Sequence, residues 1–499
     1  MKRLIALLVL SSLLLAACAA PNKNGSGVGN ITEPTQTETG ETGTTNEDVA
    51  NGGEEAASHL ELSDTFQTLL DEVNAAHEAV TAYTGGYAEY AMQHEEPGFN
   101  SNQYDYIFPQ MPGNDVVLTL EQVTEDMEIC YKALRTRYGC YNYFGGDDAF
   151  RPAIDAVIAD CAALDVITCG DLRNSLEKHF SFVKDDHVAM GNRYASERQI
   201  PFFYREVSYY KTESGYRTLD GKTVSSVDGY EDLDELFKLS MTQEGELVYY
   251  PILLQGAAYR NWLTETLESS TVLTVRYSDG SYDELTAEPY RMEYDPQAQS
   301  DTFITEEQGI PVMMGNYWQS NGSALLDAAA DYQESDLLVA DLRKNLGGDT
   351  AVVSKWFQNY TGQTVLPNLL MLKRDNPKGL EVCFEPGEDF IDMDKVLIVL
   401  TSKMTMSASE FFVDMAYNLE NTLIVGENTR GCLRGGGANR YCTLPNSKFY
   451  MEFGSTLTLF ANDEYFEEYR GFYPDIWVPE AEAKEAVMNF IARNTDASK

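Results

Sequence analysis

The sequence has little positive charge. Its 499 residues include 36 lysines and arginines against 79 aspartates and glutamates, which gives a formal net charge of −43 at pH 7. A surface this negative repels a phosphate backbone, so nucleic acid is not expected as a partner. The charge favours solubility and indicates no particular activity.

Histidine is scarce and the cysteines are widely spaced. There are five histidines, and none of the eight cysteines forms a Cys-x-x-Cys pair. A structural zinc site is therefore not expected, and we predict that the protein needs no metal and no cofactor. Once Cys18 is set aside the remaining cysteines are odd in number, so at least one thiol is unpaired or bonded to another chain.

The N-terminus lacks an apolar run long enough to cross a bilayer. Lys2 and Arg3 precede an apolar run over residues 4–15, which ends in small residues before Cys18. This pattern is typical of a secretory signal peptide. Residues 15–18, Leu-Ala-Ala-Cys, resemble the lipobox of bacterial lipoproteins. The resemblance implies that residues 1–17 are removed and that lipid on Cys18 anchors the chain to the cell membrane of a bacterium, outside the cytoplasm.

Composition and periodicity divide the rest of the chain. Residues 18–58 have almost no large apolar side chains and are predicted to form a flexible tether. Residues 59–195 show mainly helical spacing, whereas residues 196–300 alternate with a period of two and are predicted to be β-rich. The β-rich segment fits either a small domain or an extension of the main sheet. Residues 301–499 form the predicted α/β core.

A strand, a turn and a helix around Ser407 dominate that core. Residues 396–400 are a continuous apolar run, typical of a strand buried on both faces of a parallel sheet. From Ser407 the spacing becomes helical. A hydroxyl at this junction lies beside the free N–H groups of the first helical turn, which suits a nucleophile. Ser-Ala-Ser-Glu at residues 407–410 is equally a helix capping box, and this stretch alone leaves both interpretations open.

Two further features are candidates for the same site. His187 stands between acidic and apolar residues, where an imidazole can reach a cleft, although a histidine there is more often structural. Gly347 and Gly348 follow a predicted strand and let backbone N–H groups approach a ligand, or else form an ordinary tight turn.

Several motifs together resemble a known family. They are Asp-Leu-Arg-Lys-Asn-Leu-Gly-Gly at 341–348, Ser-Ala-Ser-Glu at 407–410, Val-Gly-Glu-Asn-Thr-Arg-Gly at 425–431 and Gly-Phe-Tyr-Pro-Asp-Ile at 471–476. Their order and spacing are similar to those of the C-terminal-processing, or tail-specific, serine peptidases, over roughly residues 310–478. The resemblance implies a Clp-protease/crotonase-like α/β core, an N-terminal helical region and a small β-rich, PDZ-like insert.

The residue at position 432 distinguishes two branches of that family. The better-known branch uses a Ser/Lys dyad, but the lysine position is Cys432 here, and nothing places Lys403 on the serine. The sequence is closer to the branch with the tricorn-protease core and the retinoid-binding-protein repeats. That resemblance implies Ser407 as nucleophile, His187 as base and Glu468 as orienting carboxylate.

The same resemblance assigns the oxyanion hole to the N–H of Ala408 and to Gly347 or Gly348. In the tricorn core a serine precedes the histidine, whereas Asp186 does so here, which leaves the orientation of the imidazole open.

The function predicted is that of an exported, lipid-anchored serine peptidase that acts on peptides or proteins and touches the membrane only through its lipid. The alternative is a lipoprotein of the same fold that binds a peptide or lipid without turning it over. The sequence does not indicate the oligomeric state.

Cys432 and Cys442 flank a glycine-rich loop. A disulfide between them would close a short loop and stabilise the fold by about 2–3 kcal/mol in an oxidising exterior. Two reduced thiols are the alternative.

The lipobox gives a direct test at Cys18. Cys18→Ala removes the lipid acceptor, so the protein should lose its partition into detergent while its folded part stays intact. Phase separation of cell extracts in detergent, with Cys383→Ala as the matched control, measures this. Mature lipoprotein behaviour in the Cys18→Ala variant would show that the anchor is assigned to the wrong residue.

Overall fold

A computed structural model describes residues 60–91, 113–190, 197–258, 266–291, 302–319, 323–375, 379–387, 389–437 and 442–496. The predicted signal peptide, Cys18 and the predicted tether lie outside these residues. No helix among the described residues is both long enough and apolar enough to span a bilayer.

The first part of the chain is mainly helical. Its elements are α1 (Asp64–Glu78), β1 (Val117–Leu118), α2 (Leu120–Arg137), α3 (Gly146–Ala162), β2 (Ile167–Thr168), α4 (Cys169–His179) and β3 (Ala189–Met190). Thr119 and Thr168 cap α2 and α4 through their hydroxyls, with Gln122 and Asp171 reaching back in capping boxes.

The second part is mainly strands. Its elements are β4 (Glu197–Phe203), β5 (Tyr209–Thr212), β6 (Gly215–Thr218), β7 (Val224–Val227), α5 (Leu233–Leu236), β8 (Phe237–Met241), β9 (Leu247–Ala258), β10 (Thr266–Leu267), β11 (Val272–Tyr277), β12 (Tyr282–Thr286) and β13 (Tyr290–Arg291).

The third part alternates strands and helices. Its strands are β14 (Thr302–Glu307), β15 (Ile310–Gly315), β16 (Leu337–Asp341), β17 (Leu370–Asp375), β18 (Gly379–Phe384), β19 (Val396–Thr401), β20 (Thr422–Gly426), β21 (Gly435–Gly436), β22 (Cys442–Thr443), β23 (Tyr450–Glu452), β24 (Thr456–Leu459) and β25 (Ile476–Trp477). Its helices are α6 (Ser323–Asp331), α7 (Thr350–Thr361), α8 (Ala408–Ala416) and α9 (Glu480–Asn494).

A mixed sheet forms the centre of the molecule. Its order is β14-β15-β16-β19-β20-β25-β8-β9-β5-β6, and β4 also pairs with β9. The strands from β15 to β8 are parallel to their neighbours, whereas both ends of the sheet are antiparallel. The predicted α/β class is confirmed. Five strands of the β-rich segment, β4, β5, β6, β8 and β9, belong to this sheet, so much of that segment is an extension of the core sheet.

Both faces of the central strands are covered, as the apolar run at 396–400 predicts. Leu397 and Val399 of β19 face one apolar cluster with α7 and α8, while Val396, Ile398 and Leu400 face a second cluster with α1 and α9. This alternation follows from the two-residue repeat of a strand and produces an α/β/α layering.

The N-terminal helices share cores with the rest of the chain. Helix α1 lies against the central sheet, and helices α2 to α4 share an apolar cluster with Leu372, Met451 and Leu457 of the third part. Strand β3 pairs with β23 through Met190 and Met451. This pairing carries the segment just before β3, which includes His187, to the core.

Helix α1 provides a test of this packing. Phe66 is fully buried and meets the ring of Phe490 edge-on at a centroid distance of 4.9 Å. Phe66→Ala should lower the free energy of unfolding by about 3–5 kcal/mol, because it leaves a cavity between α1 and α9. Thr68→Ala, at an exposed position of the same helix, is the control, and urea unfolding is the measurement. Equal stability of the two variants would contradict this docking of α1.

Candidate active site

Three parallel strands place the site at their carboxyl ends. Strands β16, β19 and β20 are neighbours, with Asp341 opposite Leu400 and Leu400 opposite Val425. The loops that leave them begin at the same edge of the sheet and converge there, where ligands of parallel sheets bind. Residues 342–348, 402–407 and 427–432 form these loops.

Ser407 occupies a strained turn between β19 and α8. Its φ of 56° and ψ of −119° lie in a region that L-residues rarely adopt, and its side chain is largely buried. Its N–H donates to Glu410 Oε2 at 3.1 Å, which is the glutamate half of the capping box. Its hydroxyl lies 3.3 Å from His187 Nε2. Helix capping by Glu410 and a nucleophile's position for the hydroxyl therefore occur together.

Asp185 is the carboxylate beside the imidazole. Its Oδ1 accepts the backbone N–H of His187 at 2.8 Å and lies 3.6 Å from His187 Nδ1. Its Oδ2 accepts the hydroxyl of Tyr138 at 2.7 Å. Asp185 thus contacts the backbone N–H of His187 and lies near Nδ1, the ring nitrogen that does not face Ser407.

Asp186 has a different role. Its carboxylate binds the guanidinium groups of Arg198 and Arg430. Its Oδ2 accepts a hydrogen bond from Arg430 Nε at 2.5 Å. All three side chains are buried. The residue directly before the histidine therefore joins two other segments of the chain, and the orientation that the sequence left open falls to Asp185.

Glu468 lies in the site and accepts hydrogen bonds from backbone groups. Its Oε1 accepts the N–H of Asp186 at 2.9 Å, and its Oε2 accepts those of Leu433 and Arg434 at 3.2 and 3.0 Å. Burial, with the nearby charge of Asp185, raises the pKa of Glu468 to about 8. Its predicted contact with the imidazole stays a prediction, because these bonds show it holding the segments on either side of His187.

The three predicted oxyanion residues lie together beside Ser407. A Cβ built on Gly347, whose φ is 98°, would stand 2.7 Å from the Cβ of Ser407 and 3.1 Å from the nitrogen of Ala408. The N–H of Gly347 donates to Asn345 Oδ1 at 2.9 Å and is therefore engaged. Within the described part of the chain, no bond occupies the N–H of Gly348 or Ala408.

The amine of Lys403 binds backbone carbonyl oxygens. Its amine donates to the carbonyl oxygens of Thr429, Arg430 and Arg470 at 2.5, 3.3 and 3.1 Å. Complete burial holds the pKa of Lys403 well below its usual range. The amine of Lys403 binds the loop at 429–430, and this bonding suits a structural role.

The predicted disulfide between Cys432 and Cys442 is absent, since both thiols are free. Cys432 Sγ lies 3.4 Å from His187 Nδ1, inside the site, whereas Cys442 pairs with Met451 in β22–β23 and belongs to the cluster of the N-terminal helices. The two thiols lie in different apolar clusters. Burial of Cys432 in the site therefore takes it away from its predicted partner.

Sequence reasoning did not identify Glu410 as the shared acceptor of several hydrogen bonds, nor Asp185 as the neighbour of the imidazole. The Asp-x-His spacing of 185–187 was a usable signal, because an aspartate two residues before another residue readily accepts its N–H. No signal in the sequence placed Cys432 on His187. Among the described residues, no group of three or more histidine, cysteine or acidic side chains is arranged to hold a metal ion.

Comparison with known proteins identifies the core. Residues 310–478 match the model of peptidase family S41. This range coincides with the extent of the resemblance inferred from the motifs, and it includes Ser407 and Glu468 but not His187. No curated protein matches the sequence. Residues 310–478 are therefore similar to the domain of this peptidase family.

Solved structures give more distant likenesses. Mature CPAF complexed with lactacystin is 13% identical with a TM-score of 0.37, covering 75% of this chain and 97% of that one. The photosystem II D1 C-terminal processing protease is 14% identical with a TM-score of 0.34, covering 76% and 99%. The tricorn protease is 12% identical with a TM-score of 0.33, covering 75% and 35%. The assignment rests on the family model and not on these likenesses.

The pKa of Glu468 predicts how stability depends on pH. This pKa is about 8 in the fold against an ordinary value of 4.5, so between these values the native state holds a proton that the unfolded state has lost. The free energy of unfolding should therefore fall as the pH rises from about 5 to 8, and Glu468→Gln should flatten that fall. Urea unfolding at a series of pH values measures it, with Glu467→Gln, at the exposed neighbouring position, as control. An equally steep fall in both variants would contradict the buried, protonated state of Glu468.

Proposed function

We propose that this protein, whose residues 310–478 form a peptidase family S41 domain, hydrolyses peptide bonds with Ser407 as nucleophile and His187 as base. The observation that carries the proposal is the 3.3 Å contact between Ser407 Oγ and His187 Nε2 at the N-terminus of a buried helix. The two residues are 220 positions apart in the chain, and different elements bring them together.

The first step is attack on the scissile carbonyl. Ser407 Oγ bonds to the carbonyl carbon while His187 Nε2 accepts the hydroxyl proton, which requires the neutral tautomer with its proton on Nδ1. Asp185 Oδ1, 3.6 Å from Nδ1, favours this tautomer and stabilises the imidazolium that forms. The negative charge moves to the carbonyl oxygen.

That oxyanion needs donors, which the N–H groups of Gly348 and Ala408 supply. The N-terminus of α8 adds the positive end of its helix dipole. The intermediate then collapses, and His187 transfers its proton to the leaving amine nitrogen. Water, deprotonated by the same imidazole, releases the acyl group and restores the serine.

Glu468 supports this arrangement from behind. Its carboxyl group connects Asp186, next to the histidine, to residues 433 and 434. We assign it the role of holding the imidazole segment in register with the core. The sequence signal at Cys18 further supports an exported, lipid-anchored enzyme, and the S41 match supports peptide or protein substrates.

The alternative is a catalytically silent peptide- or lipid-binding lipoprotein. The observation in its favour is that Ser407 and His187 are only 8% and 3% exposed, so little of either side chain is open to a substrate. Labelling with a serine-directed fluorophosphonate separates the two functions, because the reagent bonds only to an activated serine.

The proposal predicts which variants label and turn over. Ser407→Ala should abolish fluorophosphonate labelling, and His187→Ala should lower kcat/KM by at least about 10³-fold, because the hydroxyl loses its base. Peptide mapping of the labelled protein and hydrolysis of a peptide library measure these effects. Ser409→Ala is the matched control in the same tetrapeptide. It loses a hydrogen bond from Trp318 but should keep the label.

The base also predicts a pH profile. With histidine as base, kcat/KM should rise with pH through a value of ~6.5, as the imidazole loses its proton.

A wild-type protein that the fluorophosphonate does not label would favour the silent binder. Activity that survives His187→Ala but is lost in folded Lys403→Ala would show that lysine is the base.

A further inference from the structure

The mechanism leaves the thiol of Cys432 unused, although it touches the base. Cys432 Sγ lies 3.4 Å from Nδ1 and 3.6 Å from Nε2 of His187, and the residue has no exposed surface. The two ring nitrogens are separated by Cε1. A sulfur in the ring plane and nearly equidistant from both would stand in front of Cε1, closer than van der Waals contact allows. The sulfur therefore packs on the face of the imidazole.

The position of this thiol is fixed by the same carboxylate that holds the nucleophile. Glu410 Oε2 accepts the N–H of Cys432 at 2.8 Å and that of Ser407 at 3.1 Å. The next N–H groups along the chain, from Leu433 and Arg434, bind Glu468. The shared buried acceptor couples the backbone of Cys432 to that of Ser407.

The backbone of Gly436 approaches another side of the ring. A Cβ built on this glycine would lie 3.6 Å from His187 Cε1 and 3.8 Å from Nε2. Residues 432–436 thus approach the imidazole at two places, through the side chain of Cys432 and through the backbone of Gly436.

The thiol does not compete with Ser407 as nucleophile. Complete burial raises the pKa of Cys432 well above its usual range, so the sulfur stays protonated at neutral pH. A neutral thiol is a soft, polarisable group that packs well on an aromatic face. It adds contact to the ring without adding charge next to the base.

We propose that Cys432 is a positioning residue, whose sulfur packs on the imidazole face and holds His187 Nε2 directed at Ser407 Oγ. This inference rests on the proposed function, in which His187 is the proton acceptor. The sulfur acts through His187 and does not contact the substrate.

The test replaces the sulfur and measures the base. Cys432→Ala opens space beside the ring, so kcat should fall on the order of 10–100-fold with KM nearly unchanged, because binding of the substrate is not affected. Cys432→Ser, with a smaller atom in the same place, should lie between the wild type and Cys432→Ala. Cys161→Ala, at a buried cysteine of α3, is the control for cavity formation alone.

A second readout does not depend on turnover. Nitrogen-15 NMR of histidine-labelled protein resolves the titration of His187 among five histidines. Water that enters the space left in Cys432→Ala stabilises the imidazolium, so the imidazole pKa should move upward and the acidic limb of kcat/KM should follow it to higher pH. Cys161→Ala should leave both unchanged.

The outcomes distinguish this inference from the proposed function. An active wild type with an unchanged kcat and His187 titration in Cys432→Ala would overturn the positioning role alone. Should that variant not fold, Cys432→Ser decides, since a kcat within twofold of the wild type and an unshifted titration would overturn it equally. A wild type without activity or label contradicts the proposed function, and the NMR titration then still tests the contact. Loss of all labelling in Cys432→Ser with retention in Ser407→Ala would make the thiol the nucleophile.

Discussion

The carboxylate of Glu410 is the constraint on which the site depends. It is fully buried and accepts four hydrogen bonds, from the N–H groups of Ser407, Gly431 and Cys432 and from the hydroxyl of Thr429. Burial raises its pKa, while these donors oppose that rise and favour the charged form. A buried charge is costly unless its acceptors are filled, so every one of these donors must be in place for the fold to be stable. The strained backbone of Ser407 is held by this requirement.

A second buried ionic cluster does the same for the histidine. Asp186 binds Arg198 from the β-rich part and Arg430 from the core, so the segment just before His187 is fixed between two distant parts of the chain. Removing one partner of such a cluster leaves an uncompensated buried charge, which costs about 3–5 kcal/mol. The helical part thus brings His187 to Ser407 through the pairing of β3 and through this cluster.

The motifs gave good predictions where the chemistry is local. The apolar run at 396–400, the glycines at 347–348 and the serine at a strand-to-helix junction all lie where their patterns indicate, since each is governed by a few adjacent residues. The predicted disulfide failed for the opposite reason. Loop length between Cys432 and Cys442 says nothing of which core each thiol enters, and packing placed them in different ones.

The sequence by itself determined the α/β class, the central strands with both faces buried, and Ser407 as the residue around which the core is arranged. The N-terminal export signal stays a prediction. Periodicity and turn chemistry act over a few residues, so they can be recognised in the sequence without knowledge of the fold. Only the tertiary structure decided that Asp185 and not Asp186 lies beside His187, that Lys403 binds backbone carbonyls, and that Cys432 covers the imidazole. These contacts join residues more than 200 positions apart or depend on which way a side chain turns, and both are set by the packing of the sheet and its loops.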